Sequence, residues 1–186
     1  MAGVVLAAGG SKRLGRPKQT VIVGGKTLVE RAVGVAMEAG LTPVIVVLRD
    51  STLVERMKEL GAQPLLNRRW DEGMASSIGV GVSWAKALGA FGVVLMTCDQ
   101  VALRGDHLRG LSAVEGRITG SRYGGRIGIP AYFPAASFAA LLELKGDVGA
   151  RELLIGAATV EDESLGLDVD TEEDVRQAET LFGAMG

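Results

Sequence analysis

The chain has 186 residues, enough for one ordinary domain with a sizeable core and too few for two of typical size. Its 47% hydrophobic and 23% charged content excludes bulk disorder, and a net charge of −2 gives no broad basic field for nucleic acid or an anionic membrane. One cysteine and one histidine exclude an internal disulfide scaffold and most histidine-based metallohydrolases.

The first apolar stretch, residues 3–8, is only strand-length and runs into Gly9 and Gly10. It reads as neither a signal core nor a membrane span, and a cytoplasmic protein is expected. Leu28, Val29, Ala32, Val33, Ala36 and Met37 then recur at helical spacing, with Gly40 as a stop. A second strand is expected over residues 43–48, a second helix over 51–60 and a third strand over 62–66, so the first half reads βαβαβ. Residues 74–87 read as a helix despite Gly79 and Gly81, each about 1 kcal/mol worse than alanine, which asks for a packing or ligand reason.

The run 91–97 is another buried strand, followed by a helix over 104–115 that is expected to carry His107 on an exposed face. Residues 118–133 mix strand formers with Gly120, Gly124, Gly125, Gly128 and Pro130, as a hairpin or loop-rich excursion would. Helices over 135–144, 150–155 and 172–182 complete the order, the last with Thr171 as N-cap and Asp174 three residues on. Nearly continuous apolar strands alternating with helices predict an α/β fold, a three-layer α/β/α sandwich on a mostly parallel sheet, built as a single domain over 1–186.

Ligands of such a sheet sit beyond the carboxyl ends of its strands. At the first of these junctions, Leu6, Ala7, Ala8, Gly9, Gly10 and Ser11 let the backbone approach an anion, and Lys12, Arg13, Arg16 and Lys18 can surround it. This reads as a polyphosphate loop. Gly10 to Gly15 has the glycine spacing of a Walker A motif, but Arg16-Pro17 follows where Lys-Ser/Thr is required. No G-x-G-x-x-G dinucleotide fingerprint occurs there either.

At the second junction Asp99 ends an apolar strand, and a charge there needs a partner. Mg²⁺ shared with phosphate oxygens is the natural one, an N-cap role the alternative. Cys98 reads as a small core residue. At the third, alternation puts Asp168 and Asp170 on one side of a strand before the last helix. Either could complete a metal site, and Asp170 could instead help cap the helix.

The segment L-A-A-G-G-S-K-R-L-G-R-P-K-Q resembles the signature loop of the MobA-like nucleotidyltransferases. Asn67-Arg-Arg-Trp70-Asp-Glu-Gly73-Met-Ala-Ser76-Ser77, Cys98-Asp99-Gln100, Gly146-Asp147-Val-Gly149-Ala150-Arg151 and Asp168-Val-Asp170-Thr171-Glu172-Glu173-Asp174 resemble four further motifs of that family, in order. The likeness extends over nearly the whole chain and is strongest to the molybdenum cofactor cytidylyltransferase branch. It implies a Rossmann-like nucleotidyltransferase sheet whose glycine loop holds the triphosphate of an NTP. Arg13 and Lys18 match the family's phosphate-contacting cations, and Asp99 its Mg²⁺ ligand. Asn67, Gly73, Ser76 and Ser77 fall in the segment that meets the nucleotide. Ala7-Ala8, where guanylyltransferases carry an Ala-Gly-Gly form, favours CTP over GTP. Val101 and Ile129 depart from the family pattern, the latter in the glycine-rich stretch expected to line the acceptor side with Arg126 and Gly128. Arg126 and Arg151 are the expected contacts to an acceptor phosphate.

Three functions are weighed. The leading one is Mg²⁺-dependent transfer of a nucleoside monophosphate, CMP from CTP, to molybdopterin or a related pterin phosphate with release of pyrophosphate. The second replaces that acceptor with a sugar or polyol phosphate. The third is a noncatalytic protein that binds nucleotide or pterin and delivers it to a partner molybdoenzyme. Neither nucleic acid nor membrane is an expected partner. Asp99 argues against the third, because a bare carboxylate facing a triphosphate repels it unless a metal intervenes.

Overall fold

A computed structural model describes residues 1–11, 13–113 and 116–183. Its centre is a seven-stranded sheet in the spatial order β5 (Gln63–Leu66), β4 (Val44–Leu48), β1 (Ala2–Ala7), β6 (Gly92–Thr97), β8 (Arg126–Pro134), β7 (Thr119–Tyr123) and β9 (Ala158–Glu161). Four of these strands are parallel and form the expected half: β1 (Ala2–Ala7), β4 (Val44–Leu48), β5 (Gln63–Leu66) and β6 (Gly92–Thr97). All six side chains of β1 are buried because both faces are covered. Val4 and Leu6 pack with α3 (Met74–Ala87) and α5 (Phe138–Glu143), whereas Val5 and Ala7 pack with α1 (Leu28–Glu38), α2 (Val54–Glu59) and α4 (Gly105–Ser112). The three layers are therefore α/β/α, as the alternation predicts. No described helix is long and apolar enough to cross a membrane.

Local chemistry sets several boundaries. Thr27 and Glu30 form a reciprocal capping box at the start of α1, and Thr171 with Asp174 does the same for α6 (Glu172–Gly183). Ahead of α1, a small hairpin of β2 (Ile22–Val23) and β3 (Lys26–Thr27) turns on Gly24 and Gly25, both at positive φ. Val-Gly-Gly-Lys carries that turn signal, since only glycine enters this conformation without strain, but two-residue strands are too short for periodicity to reveal. A third apolar cluster, with Leu14, Val21, Leu28, Val169 and Ala178, docks α6 beneath this hairpin.

The second half departs from the expected pattern. The stretch 118–133 is a hairpin of β7 (Thr119–Tyr123) and β8 (Arg126–Pro134), but it is part of the main sheet, with β8 antiparallel to β6. A strand absent from the sequence reading, β9 (Ala158–Glu161), adds parallel to β7. The helix expected over 150–155 is one 3-10 turn, Arg151–Leu154, and α5 begins after a 3-10 turn, Ala135–Ser137. The helix expected over 104–115 ends at Ser112, and residues 114 and 115 lie outside the described part. Asp168 and Asp170 do not lie on a regular strand: Asp168 makes an isolated bridge with Gln100.

His107 is the clearest correction. Rather than facing solvent it is 6% exposed, with Nε2 at 2.7 Å from Ser121 Oγ, which in turn donates to the Pro130 carbonyl at 2.6 Å. The ring fills a gap between α4 and the β7–β8 hairpin, and this polar chain satisfies groups that the sheet buries.

The two helix glycines separate on packing. A Cβ at Gly81 would come within 2.4 Å of Val4 Cγ1, so glycine there permits close contact between α3 and the sheet, whereas nothing lies within 4 Å of a Cβ at Gly79. Gly81→Ala is expected to destabilise by about 1–3 kcal/mol through overpacking, and Gly79→Ala to stabilise by about 0.5–1 kcal/mol. Urea denaturation of the two variants checks the opposite signs.

Candidate functional site

The carboxyl ends of β1 and β6 and the segment before α6 converge on Lys18. Its Nζ donates to Asp99 Oδ2 at 2.6 Å and to Asp170 Oδ1 at 2.7 Å. Asp99 follows the end of β6, Asp170 precedes α6, and Lys18 opens a 3-10 turn, Lys18–Thr20, after the glycine loop. The loop is tied at both ends. Gly15 N donates to the Ser11 carbonyl at 3.2 Å, and Lys18 N donates to Ser11 Oγ at 2.9 Å. Ser11 itself adopts positive φ, 47°. Arg13 pairs with Asp170, and Arg16 makes a two-pronged pair with Glu172, so the loop's cations lean on the start of α6. Lys12 lies outside the described residues.

The electrostatics follow from this crowding. Burial works against the Lys18 charge, but the carboxylates of Asp99 and Asp170 outweigh it and hold the ammonium above its usual pKa. Burial, then the charges of Asp99 and Asp170, push the Asp168 carboxyl up to about 6, because its nearest cation, Arg126, is 3.9 Å away and more than half exposed. Burial, and then Asp99, push the Cys98 thiol up to about 12, so it stays protonated and is no nucleophile.

Two cavities open here. The first, of about 370 Å³, is lined by Leu6, Ala7, Ala8, Gly9 and Gly10 of the loop, and beyond them by Lys18, Gly73, Ser77 and Asp99. The second, of about 560 Å³, holds Arg126, Gly128, Arg151 and Asp168. Met74, Thr97, Asp99 and Asp147 belong to both, so the cavities meet at Asp99.

Asn67 and Ser76 are not in either lining. Asn67 is 2% exposed, and its Nδ2 donates to Ser76 Oγ at 2.8 Å and Ser77 Oγ at 3.0 Å. Ser76 Oγ is turned to the carbonyls of Arg69 and Gly73. These hydrogen bonds brace the start of α3. Gly73 contributes close approach: a Cβ there would lie 2.4 Å from the backbone of Gly146, which brings the 146–151 segment against α3. Trp70, Asp71, Met74, Thr97 and Asp147 of the first cavity carry no expected role in the sequence reading, and the motif segments that contain Trp70 and Asp147 were the available signal.

The donor set fits magnesium as a shared site rather than a cage. Among the described residues no three acidic, histidine or cysteine side chains form a metal-binding group. Asp99 Oδ1, however, is buried with no hydrogen-bond partner among those residues, and Asp168 has only a long ion pair, 3.9 Å to Arg126. Mg²⁺ takes one or two protein carboxylates plus phosphate oxygens, which is what Asp99 and Asp168 can offer. Asp170 is occupied by Lys18 and Arg13.

The family model of the MobA-like NTP transferase domain matches residues 3–162. The chain is 33% identical to purine catabolism protein PucB of Bacillus subtilis (strain 168), over 94% of this chain and 93% of that protein. It is 33% identical to nicotine blue oxidoreductase of Paenarthrobacter nicotinovorans, over 93% of each. A 32% identity to the protein named probable molybdenum cofactor guanylyltransferase of Opitutus terrae covers 55% of this chain and 50% of that one. Among solved structures, Rv0371c from Mycobacterium tuberculosis H37Rv superposes with a TM-score of 0.80 at 30% identity, covering 96% of this chain and 97% of that one. The same protein is also known in complex with manganese.

The Asp168 carboxyl carries a stability signature. Its folded value lies above the ordinary 3.8, so the stability tied to it is fully present below about pH 3.8 and is lost as pH rises through about 6. Removing the charge is expected to help at neutral pH: Asp168→Asn should be more stable than the parent at pH 7 by about 1–2 kcal/mol, with the difference vanishing near pH 4. Urea melts at the two pH values without divalent cations measure it.

Proposed function

The chain belongs to the MobA-like NTP transferase family, and from that premise we propose that residues 1–186 act as a single magnesium-dependent nucleotidyltransferase domain. It moves CMP from CTP onto a phosphate monoester, molybdopterin or a related pterin phosphate. The observation that carries the reading is the junction of two cavities at Asp99, one bounded by the glycine loop and Lys18 and the other by Arg126 and Arg151. A transfer between two anionic substrates requires two adjoining sites with cations in both.

An oxygen of the acceptor phosphate bonds to the α-phosphorus of the nucleotide as the bond to the α–β bridging oxygen breaks, and pyrophosphate leaves with that electron pair. The attacking phosphate is already an anion, so no general base is needed. Lys18 remains protonated throughout the neutral range, and its charge can turn to the phosphoryl oxygens as they replace a carboxylate partner. Arg13, which pairs with Asp170 and lines neither cavity, is assigned to the departing pyrophosphate from its match to the family's phosphate-contacting cation. Arg126 and Arg151 hold the acceptor phosphate in line. Magnesium, when bound by Asp99 and Asp168, supplies positive charge that lets two anions approach.

The Opitutus terrae relative, named a probable molybdenum cofactor guanylyltransferase, supports a molybdenum cofactor acceptor and favours GTP as the competing donor. The experiment that separates these readings is pyrophosphate release with each NTP and Mg²⁺, offered molybdopterin with and without bound metal and, in parallel, a sugar phosphate. Selective CTP consumption with molybdopterin is the expected result. GTP consumption corrects the donor, and turnover with the sugar phosphate alone corrects the acceptor. CTP binding without pyrophosphate release from any acceptor supports the delivery protein instead. Lys18→Ala and Asp99→Ala are each expected to lower turnover about 10²–10³-fold, roughly 3–4 kcal/mol of transition-state stabilisation. A folded variant with full turnover removes that residue from the mechanism.

A further inference from the structure

We propose that Trp70 is the platform on which the nucleobase stacks, an inference that rests on the nucleotidyltransferase reading and adds to it the residue that holds the base. The first cavity combines two kinds of surface. Lys18 and the glycine loop answer a triphosphate, while Leu6, Ala8, Met74 and Trp70 offer apolar area suited to a flat ring. Trp70 is the sole aromatic among the described residues that line it.

The indole is held rather than loose. A Cβ on Gly10 would sit 3.3 Å from its Cζ3, so the loop passes close against the ring at that position. The Arg49 guanidinium lies over the ring, 5.7 Å from a ring centroid, and is itself anchored to Asp50 at 3.1 Å. Despite these contacts Trp70 keeps 36% of its surface exposed. A preorganised, half-open aromatic at the edge of a nucleotide-sized cavity gains contact area from a stacked base and loses little freedom in doing so.

Stacking tolerates any base, because every base presents a π-face. Trp70 therefore contributes affinity, and the choice between cytosine and guanine falls to other groups. The contact is the same in the ground and transition states, so its loss raises KM and leaves kcat unchanged.

The chain has one other tryptophan, Trp84, which donates its Nε1–H to Gln63 Oε1 at 2.7 Å and lines neither cavity. In a Trp84→Phe protein, emission therefore reports on Trp70 alone. Titration of that protein with CTP or GTP in Mg²⁺ is expected to change the emission saturably. Inorganic tripolyphosphate, with charge but no base, is expected to bind by calorimetry and leave the emission near its starting value. Trp70→Ala should raise the Kd and KM for both nucleotides roughly tenfold to a hundredfold, Trp70→Phe much less, with kcat kept within about twofold. Equal quenching by tripolyphosphate, or an unchanged Kd in a folded Trp70→Ala protein, overturns the proposal. If that variant does not fold, the single-tryptophan titration decides alone. Wild-type protein that binds neither CTP nor GTP in the calorimeter overturns the nucleotidyltransferase reading and this proposal together, which distinguishes the two failures.

Discussion

The ammonium of Lys18, held between Asp99 and Asp170, joins segments separated by 81 and 152 residues in the chain. Taking a lysine charge out of water is expensive, and burial is the largest single influence on this one. Asp99 and Asp170 together outweigh it, so the cation stays charged where the glycine loop, β6 and the start of α6 come together. The arrangement leaves the carboxylates imperfectly compensated: Asp168 is driven toward neutrality, and one oxygen of Asp99 has no hydrogen-bond partner among the described residues. A site balanced in this way is suited to exchanging partners, since phosphate can replace a carboxylate at Lys18 while a divalent cation answers the carboxylates.

The surrounding structure keeps that exchange in register. Asn67 ties the two serines at the start of α3, and the close backbone approach of Gly73 to Gly146 places the 146–151 segment beside them. On the other side, Gln100 Nε2 donates to Tyr123 Oη at 3.2 Å and to the carbonyl of Ile129 at 3.2 Å. The buried chain from His107 through Ser121 to Pro130 pins the same hairpin from α4. Both walls of the second cavity are thus fastened to the central sheet, so its arginines project from a rigid frame.

Much of the architecture was legible because the information is local. Buried parallel strands read as apolar runs of strand length, as β1, β4 and β6 do, and the amphipathic period of α1 and the span of α3 are visible within a dozen residues. The cap at Thr171 likewise depends on a side chain three residues away. The strand β9 was not legible: three of its four residues are half-buried and Glu161 is exposed, and it exists because β7, distant in the chain, offers an edge. His107 misled for a similar reason, as nothing within α4 says that a hairpin will pack over it.

The sequence by itself determined the sandwich class, the glycine loop with its cations, and the carboxylate that follows β6, because each is written in neighbouring residues. Only the tertiary structure decided that Lys18 joins Asp99 to Asp170, that Asp168 remains under-compensated, and that Asn67 is buried against Ser76 and Ser77. It also decided that two cavities share the wall at Asp99. These outcomes depend on distances between residues far apart in the chain, and charge compensation and burial are set by those distances rather than by the order of residues.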